Sequence, residues 1–175
     1  SDGSFDDTKA LLNALSYLKE NGGGRLYIPS GKYLISLYTQ FGVFTDFKDI
    51  EIVGDGDSSV LTLCKGSISF GGFSNLTLSK IKFSRDIAEA NSGRKKYQVQ
   101  MSSFVGLVID DVTFSDFGVT DSLFPVPGST ILMLYAGAKT GAVNAADTDI
   151  IAGSSREFRI VNSRFIAGGD RSVNF

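Results

Sequence analysis

Three segments of the chain repeat one pattern of apolar residues without gaps. They are residues 76–83, 107–114 and 158–165, and a weaker relative begins at Ile50. The first, third and eighth positions are apolar in all three; the sixth is apolar in two and is Ser163 in the third. Because alternate residues of a strand face one side, the pattern predicts two short core strands separated by a corner. One such unit cannot bury its apolar side alone, whereas stacked units bury a continuous core.

The intervals between the repeats support a stack with one irregularity. Successive repeats begin 26, 31 and 51 residues apart. The longest interval fits either one coil with a long insertion, or two coils of which one repeat is blurred and includes a strand at residues 131–135. Stacking predicts a column of Phe83, Phe114 and Phe165, unless the insertion separates their coils. A β-sandwich would explain the strands but not the internal similarity.

The first residues predict a helix that covers one end of the stack. Leucines at helical spacing form an apolar stripe, Asp6 or Asp7 can cap the N-terminus, and Gly22–Gly24 ends the helix. An amphipathic helix suits the first coil, whose backbone would otherwise be unpaired. No second cap follows residues 171–175, which resemble the start of a strand. The predicted fold is therefore an all-β parallel β-helix truncated at its C-terminal end. Residues 1–24 form the cap, and residues 25–175 form coils with loop insertions near 85–100 and 117–155.

The opening residues carry a family resemblance. The run from Asp2 to Thr8, the helix, the three glycines and a strand leading to Pro29, Gly31 and Tyr33 resemble the opening motif of pectate-lyase-superfamily proteins. That motif reads Asp-Gly-x-x-Asp-Asp-Thr, a helix, Gly-Gly-Gly and an apolar strand ending Pro-x-Gly-x-Tyr. The resemblance implies a right-handed parallel β-helix. Its aspartates and glycines shape the entry to the helix, so the motif indicates a fold rather than an activity.

Composition excludes several kinds of chemistry. The chain has no His and one Cys, which excludes Ser-His-Asp and Cys-His catalysis and His-ligated metals. Cys64 lies in an alternating apolar run, so a packed core thiol is favoured over a nucleophile. A net charge of −2 argues against nucleic-acid binding, and no apolar run approaches the length of a membrane span.

The resemblance implies a polysaccharide-binding protein but does not select an activity. Polygalacturonases carry a Gly-His-Gly element, whereas this chain has no His and only one downstream Asp pair, Asp110–Asp111. The acidic calcium ligands and Arg base of pectate lyases are also not recognisable. Without a signal peptide or disulfide, the chain resembles a segment of a bacteriophage tailspike or appendage. Such a protein would be a virion homotrimer that binds host glycan and degrades it in its complete form. The alternatives are a secreted polysaccharide lyase or hydrolase, and a structural or adhesive β-helix.

Glycoside cleavage usually needs two carboxylates, and stacked coils would separate them by about 5 Å or about 10 Å. The catalytic candidates are Asp116, Glu157 and Asp170. Asp116 follows a core strand and could reach a groove. Glu157 is also explained by a surface ion pair with Arg156 or Arg159, and Asp170 by a turn after two glycines. Asp111 is interpreted as a corner residue, because short polar side chains suit tight corners.

The binding candidates are Arg94, Lys95, Tyr97 and Arg171. Arg94 and Lys95 belong to a short basic run, and Tyr97 is its aromatic neighbour. Such a run suits an acidic sugar or a phosphate-containing wall polymer. A solvated loop explains the same run and is favoured. No metal or other cofactor is predicted. Residues 55–57, Asp-Gly-Asp, could offer oxygen ligands to Ca²⁺ but lack the rest of an EF-hand loop.

Overall fold

The computed structural model describes residues 2–36, 44–65, 68–85, 99–115, 130–135, 156–166 and 171–174, with residues 130–135 and 171–174 described by their backbone. An α-helix, α1, spans Thr8–Glu20, and a short 3-10 helix spans Gly56–Ser58. The strands in chain order are β1 Asp2–Asp6, β2 Gly24–Ile28, β3 Gly31–Ser36, β4 Phe44–Thr45, β5 Lys48–Gly54, β6 Ser59–Lys65, β7 Ile68–Ser79, β8 Lys82–Arg85, β9 Val99–Asp110, β10 Thr113–Phe114, β11 Thr130–Tyr135, β12 Arg156–Val161, β13 Arg164–Phe165 and β14 Arg171–Asn174. The described part is therefore all-β with one α-helix, as predicted.

The strands form two parallel sheets. The first sheet has the order β1-β3-β6-β8-β10-β13. The second has the order β14-β11-β9-β7-β5-β2, with β4 also paired to β7 and β12 to β9. Along the chain, β5, β7 and β9 of the second sheet are followed by β6, β8 and β10 of the first. Each crossover between neighbouring parallel strands therefore passes through the other sheet.

The strand register matches the sequence repeats residue for residue. Leu107 pairs with Leu76 on one side and with Phe158 on the other, and Phe114 pairs with Phe83 and Phe165. The gapless alignment is therefore confirmed. The interval of 51 residues is one step of the stack, because β12 pairs directly with β9. The alternative of a hidden second coil is wrong, although residues 130–135 do form a strand, β11, beside the first part of β9.

The core lies between the two sheets and contains stacked aromatic rings. Phe114 is 0% exposed and stacks on Phe83 at 5.4 Å and on Phe165 at 5.0 Å between ring centroids, which confirms the predicted column. A second column, Phe47–Phe73–Phe104, has centroid distances of 5.2 Å at both steps. It was not predicted, because these residues precede the repeat used to align the chain. Cys64 is a buried free thiol, as predicted.

Two ladders of left-handed residues form corners of the stack. One consists of Lys80, Asp111 and Asn162, and the other of Asp49, Asn75, Gly106 and Glu157. Asp111 has φ 55° and Asn162 has φ 52°, so the corner interpretation of Asp111 is confirmed. Asn and Asp tolerate this conformation because their side chains bond locally. In the second ladder, Asn75 donates from Nδ2 to Oδ1 of Asp49 at 2.7 Å, which ties two repeats together.

Helix α1 packs its apolar stripe against the core. Leu15 is buried, and the other leucines of the stripe are partly buried, namely Leu11, Leu12 and Leu18. Oδ1 of Asp6 accepts the N–H of Thr8 at 2.9 Å, whereas the side chain of Asp7 is not the cap. Oδ2 of Asp7 accepts the N–H of Leu34 at 3.2 Å, and Oγ1 of Thr8 accepts the N–H of Ser36 at 2.7 Å. Two side chains of the opening motif thus tie helix α1 to β3. This agrees with the interpretation of the motif as structural rather than catalytic.

Candidate functional site

A continuous row of side chains runs across the outer surface of the first sheet. Five residues occupy equivalent register positions on neighbouring strands, in the order Lys32, Val60, Lys82, Thr113 and Arg164. The residues that follow them in the central strands are buried in the core, namely Leu61, Phe83 and Phe114. Because successive side chains of a strand point to opposite faces, the row faces away from the core. This set is called the outer row.

Positive charge alternates with uncharged side chains along the outer row. Lys32 and Arg164 are exposed, Lys82 is half-buried, and Thr113 is buried. Neighbouring strands lie about 4.8 Å apart, so cations on every second strand are separated by about 10 Å. The stem of Lys32 lies over Gly3, where a Cβ would come within 2.8 Å of Cδ of Lys32. The glycine of the opening motif thus makes room for the first cation of the row.

The last cation of the row is held by a polar network. Arg164 donates to Oγ1 of Thr113 from Nε at 3.2 Å and from Nη2 at 3.0 Å, and Nη2 also donates to Oδ2 of Asp57. The hydroxyl of Thr113, followed by Arg164 and Lys82, lowers the pKa of the Asp57 carboxyl. The side chains of Arg164 and Asp57 are 57% and 53% exposed, so their ion pair adds little stability. Nη1 of Arg164 has no hydrogen-bond partner within the described part of the chain.

Buried polar side chains border the outer row. The next outward positions on the same strands include Thr62, Ser84 and Ser115, which are 2%, 9% and 3% exposed. Oγ1 of Thr62 is buried and has no hydrogen-bond partner among the described residues. Buried hydroxyls are normally hydrogen-bonded, so the hydroxyl of Thr62 is an exception within the described part of the chain. This burial was not predictable from the sequence, since hydroxyl residues on an outward face are usually solvated.

Arg85 is a buried cation that sequence reasoning missed. It is 6% exposed and lies at the end of β8. It pairs in register with Leu63, which pairs with Ile35, and both of these residues are buried in the core. A signal was present, because Arg85 alternates in phase with Phe83 and therefore falls on the core side of the strand. Arginine is rarely buried unless it is paired, so the burial of Arg85 at the end of β8 requires partners for its charge.

A second polar cluster surrounds Asp55. The hydroxyl of Tyr27 lies 2.8 Å from both carboxylate oxygens, and Ser30 donates to Oδ2 from its N–H at 2.9 Å and its hydroxyl at 3.0 Å. Tyr27 is 54% exposed. On the same sheet face, Arg25 forms a two-point ion pair with Glu51 at 2.6 and 3.2 Å. The cluster fixes the turn between β5 and β6.

The Asp55 cluster predicts a pH-dependent stability. Hydrogen bonds from Tyr27, then Ser30, lower the pKa of Asp55. A carboxylate with a lowered folded-state pKa stabilises the protein above its unfolded pKa of about 4, and this contribution is lost as pH falls through the folded value. We expect Asp55→Asn to lower the urea midpoint at pH 7, with the difference shrinking as the pH falls below the unfolded pKa of about 4.

Asp111→Asn is the matched control for this prediction, because Asn suits the same left-handed corner. Urea titrations at several pH values should show little change for the control. A deficit of Asp55→Asn that persists unchanged at low pH would show that the charge of Asp55 does not stabilise the fold.

Most of the predicted site residues lie outside the described residues. This applies to Asp116 and Asp170 among the catalytic candidates, and to the binding candidates Arg94, Lys95 and Tyr97. Arg171 begins β14, where its backbone pairs with Thr130 and its side chain is not described. These residues stay predictions.

Glu157 is the one catalytic candidate whose placement is described. It is exposed and has φ 58°, as a member of the corner ladder with Asn75 and Asp49. Asp49, the other acid of this ladder, lies three strand steps away, which is about 14 Å and beyond the usual distance for paired carboxylates. No ion pair joins Glu157 to Arg159 among the residues whose side chains are described. The corner position by itself accounts for Glu157.

The described residues contain no group of three or more His, Cys, Asp or Glu side chains that could hold a metal ion. Both carboxylates of residues 55–57 instead have protein partners, Tyr27 and Ser30 for Asp55 and Arg164 for Asp57. Within the same residues, no helix is long and apolar enough to cross a membrane.

Comparison with known proteins finds no relative. No family model, no curated protein and no solved structure matches the chain.

Proposed function

We propose that the chain forms a right-handed parallel β-helix that binds polysaccharide along its side. The alternation of the chain between two parallel sheets supports the helix, because each passage through both sheets completes one coil. The hand follows from the strong preference of parallel crossovers for right-handed connections. Helix α1 covers the first coil, and the opening motif that resembles the pectate-lyase superfamily lies where that cap meets β3.

The outer row is the observation that carries polysaccharide binding. Five successive strands place side chains in one line, at a repeat fixed by the strand spacing. Thr113 is buried in this line, whereas Lys32, Lys82 and Arg164 reach its surface. A ligand that contacts such a row over its whole length must itself be long and repetitive. Lysine, arginine and the carboxylate of Asp57 supply hydrogen-bonding groups, and the exposed ring of Tyr27 on the other sheet can pack against a sugar face. A linear glycan meets both requirements.

The resemblance extends this proposal to a biological setting. The glycan-binding β-helix that the resemblance implies fits a bacteriophage tailspike or appendage, which would assemble as a homotrimer in the virion. In the complete protein, carboxylates such as Asp116, Glu157 and Asp170 would serve a depolymerase activity. Because no second carboxylate accompanies Glu157 among the described residues, glycan binding is the primary proposal and cleavage the secondary one.

A polysaccharide panel tests the proposal. The protein is incubated with bacterial surface polysaccharides and pectins, and we expect at least one polymer to be retained in affinity electrophoresis. Reducing ends without ultraviolet absorbance would indicate a hydrolase, and unsaturated ends would indicate a lyase. Light scattering gives the mass of the assembly, with a trimer expected.

Retention is also compared between Tyr27→Ala, the test variant, and Tyr17→Ala, its control. Both rings are exposed, but Tyr27 lies on the sheet and Tyr17 on helix α1. Retention without product would indicate an adhesive protein. If no polymer is retained and none is cleaved, the proposed function is wrong and a structural role replaces it.

A further inference from the structure

We infer that the cleft between helix α1 and the turn from β2 to β3 binds a small organic amine whose hydrocarbon body is about the size of a benzene ring. The cleft has a volume of about 160 Å³ and is lined by residues of α1, β2, β3 and β6. It is called the cap cleft. This site goes beyond the proposed polysaccharide binding and takes a ligand of another class.

Two alanines of helix α1 leave the space that the cap cleft occupies. Ala10 and Ala14 are four residues apart and therefore lie on one face of the helix. Both line the cleft, whereas the bulkier Leu15 is buried in the core. An apolar cavity of about 150 Å³ can hold a benzene ring, so a single ring fits between the helix and the sheets.

The walls of the cap cleft are apolar and aromatic. Its buried floor consists of Ile28, Ile35 and Leu61. Tyr27 and Tyr33 also line the cleft. The hydroxyl of Tyr27 donates to the carboxylate of Asp55 at 2.8 Å, and that of Tyr33 donates to the carbonyl of Pro29 at 3.0 Å. Rings held in this way suit a positively charged ligand, because a cation is attracted to the face of an aromatic ring.

The charge beside the cap cleft is negative. Asp7 is the one charged residue among the described residues that line it, and its Oδ2 accepts a backbone N–H of β3 at 3.2 Å. Burial, followed by the carboxylates of Asp7 and Asp55, raises the pKa of Tyr33. The positive end of helix α1 lies nearby, but the N–H of Thr8 is already bonded to the carboxylate of Asp6. An ammonium group is therefore favoured over a carboxylate at this rim.

Three probes that share one ring and differ in charge test the site: benzylamine, benzyl alcohol and benzoate. Binding to the isotope-labelled 175-residue chain is followed by the chemical shifts of its backbone amides, with circular dichroism to verify folding. Ala14→Leu is the first test variant, because the larger side chain fills the cleft. Asn13→Leu is its control, since Asn13 is exposed on the same helix and does not line the cleft.

Asp7→Asn is the second test variant, because it removes the charge and keeps an oxygen that can accept the N–H of β3. Glu20→Gln is its control, since Glu20 is an exposed acid at the end of the same helix.

We expect benzylamine to bind with a dissociation constant of about 1 mM, as suits so small a ligand, and to shift amides around the cap cleft. It should bind about threefold to fivefold more tightly than benzyl alcohol, with benzoate the weakest, because the carboxylate of Asp7 is partly solvated. Ala14→Leu should weaken benzylamine binding at least about tenfold without lowering Tm, since a filled cavity does not destabilise the fold. Asp7→Asn should bring benzylamine to the affinity of benzyl alcohol, and both controls should bind as the unmodified chain does.

Other results would contradict the site or its ligand class. Absence of binding by all three probes, or benzylamine binding that survives Ala14→Leu, would overturn the cap cleft as a binding site. Equal affinities for the three probes, or tightest binding of benzoate, would overturn the choice of an amine. An equal loss of benzylamine and benzyl alcohol in Asp7→Asn would show that Asp7 shapes the cleft without attracting the ammonium, which also overturns the electrostatic selection.

Discussion

Replacing Phe114 by Ala is expected to lower the free energy of unfolding by about 3–5 kcal/mol. The ring is 0% exposed and stacks on Phe83 and Phe165 from both sides. Its removal loses the transfer energy of a large side chain and leaves a cavity inside a column that backbone pairing holds at fixed spacing. Because domains are stable by only about 5–15 kcal/mol, this single change should bring the protein close to unfolding at room temperature.

Urea denaturation followed by circular dichroism measures this effect. Phe5→Ala is the control, because Phe5 is 75% exposed and its loss should change stability by about 0.5 kcal/mol or less. A comparable small loss for Phe114→Ala would mean that the aromatic column does not hold the repeats together.

Gly23→Ala is expected to lower the free energy of unfolding by about 2–5 kcal/mol. Gly23 has φ 121°, and an added Cβ would lie 2.5 Å from the carbonyl oxygen of Asp49 and 2.8 Å from that of Lys48. Both obstacles are backbone atoms of β5, so they cannot rotate away. The substitution should separate the end of helix α1 from the edge of the second sheet.

The neighbouring residue provides the control for Gly23. Gly22 also has a left-handed φ, 81°, but an added Cβ would meet nothing within 4 Å. Gly22→Ala therefore measures the conformational cost alone, about 1 kcal/mol. Thermal and urea unfolding of both variants separates this cost from the steric one, and equal losses would show that the close approach of the two carbonyls is unimportant.

The repeat predicted the fold closely because burial imposes it on the sequence. Leu76 and Leu107 are both buried in the core, and Phe158 lies in register with them, so the apolar pattern records the register directly. The corner at Asp111 was also predictable, because few residue types accept its backbone conformation. The interval of 51 residues was ambiguous, since an insertion leaves no mark in the periodicity of the strands on either side.

The outer row was harder to predict because no single property recurs along it. Lys32, Val60, Lys82, Thr113 and Arg164 differ in size, polarity and charge, and only the strand pairing aligns them. Outward positions are free to vary, since the core places no demand on them. The same freedom explains why the ion pair of Arg164 with Asp57, which are 107 residues apart, has no signal in the sequence.

The single step from β10 to β13 also bears on how such a protein could be engineered. Phe114 and Phe165 are 51 residues apart in the sequence, yet the two rings stack as closely as any other pair in the column. The thermodynamic cost of lengthening a surface connection grows only slowly with its length. The paired strands thus keep their register across a long interval of sequence, and a library of foreign peptides inserted into that interval would test how far its length can change while the frame stays constant.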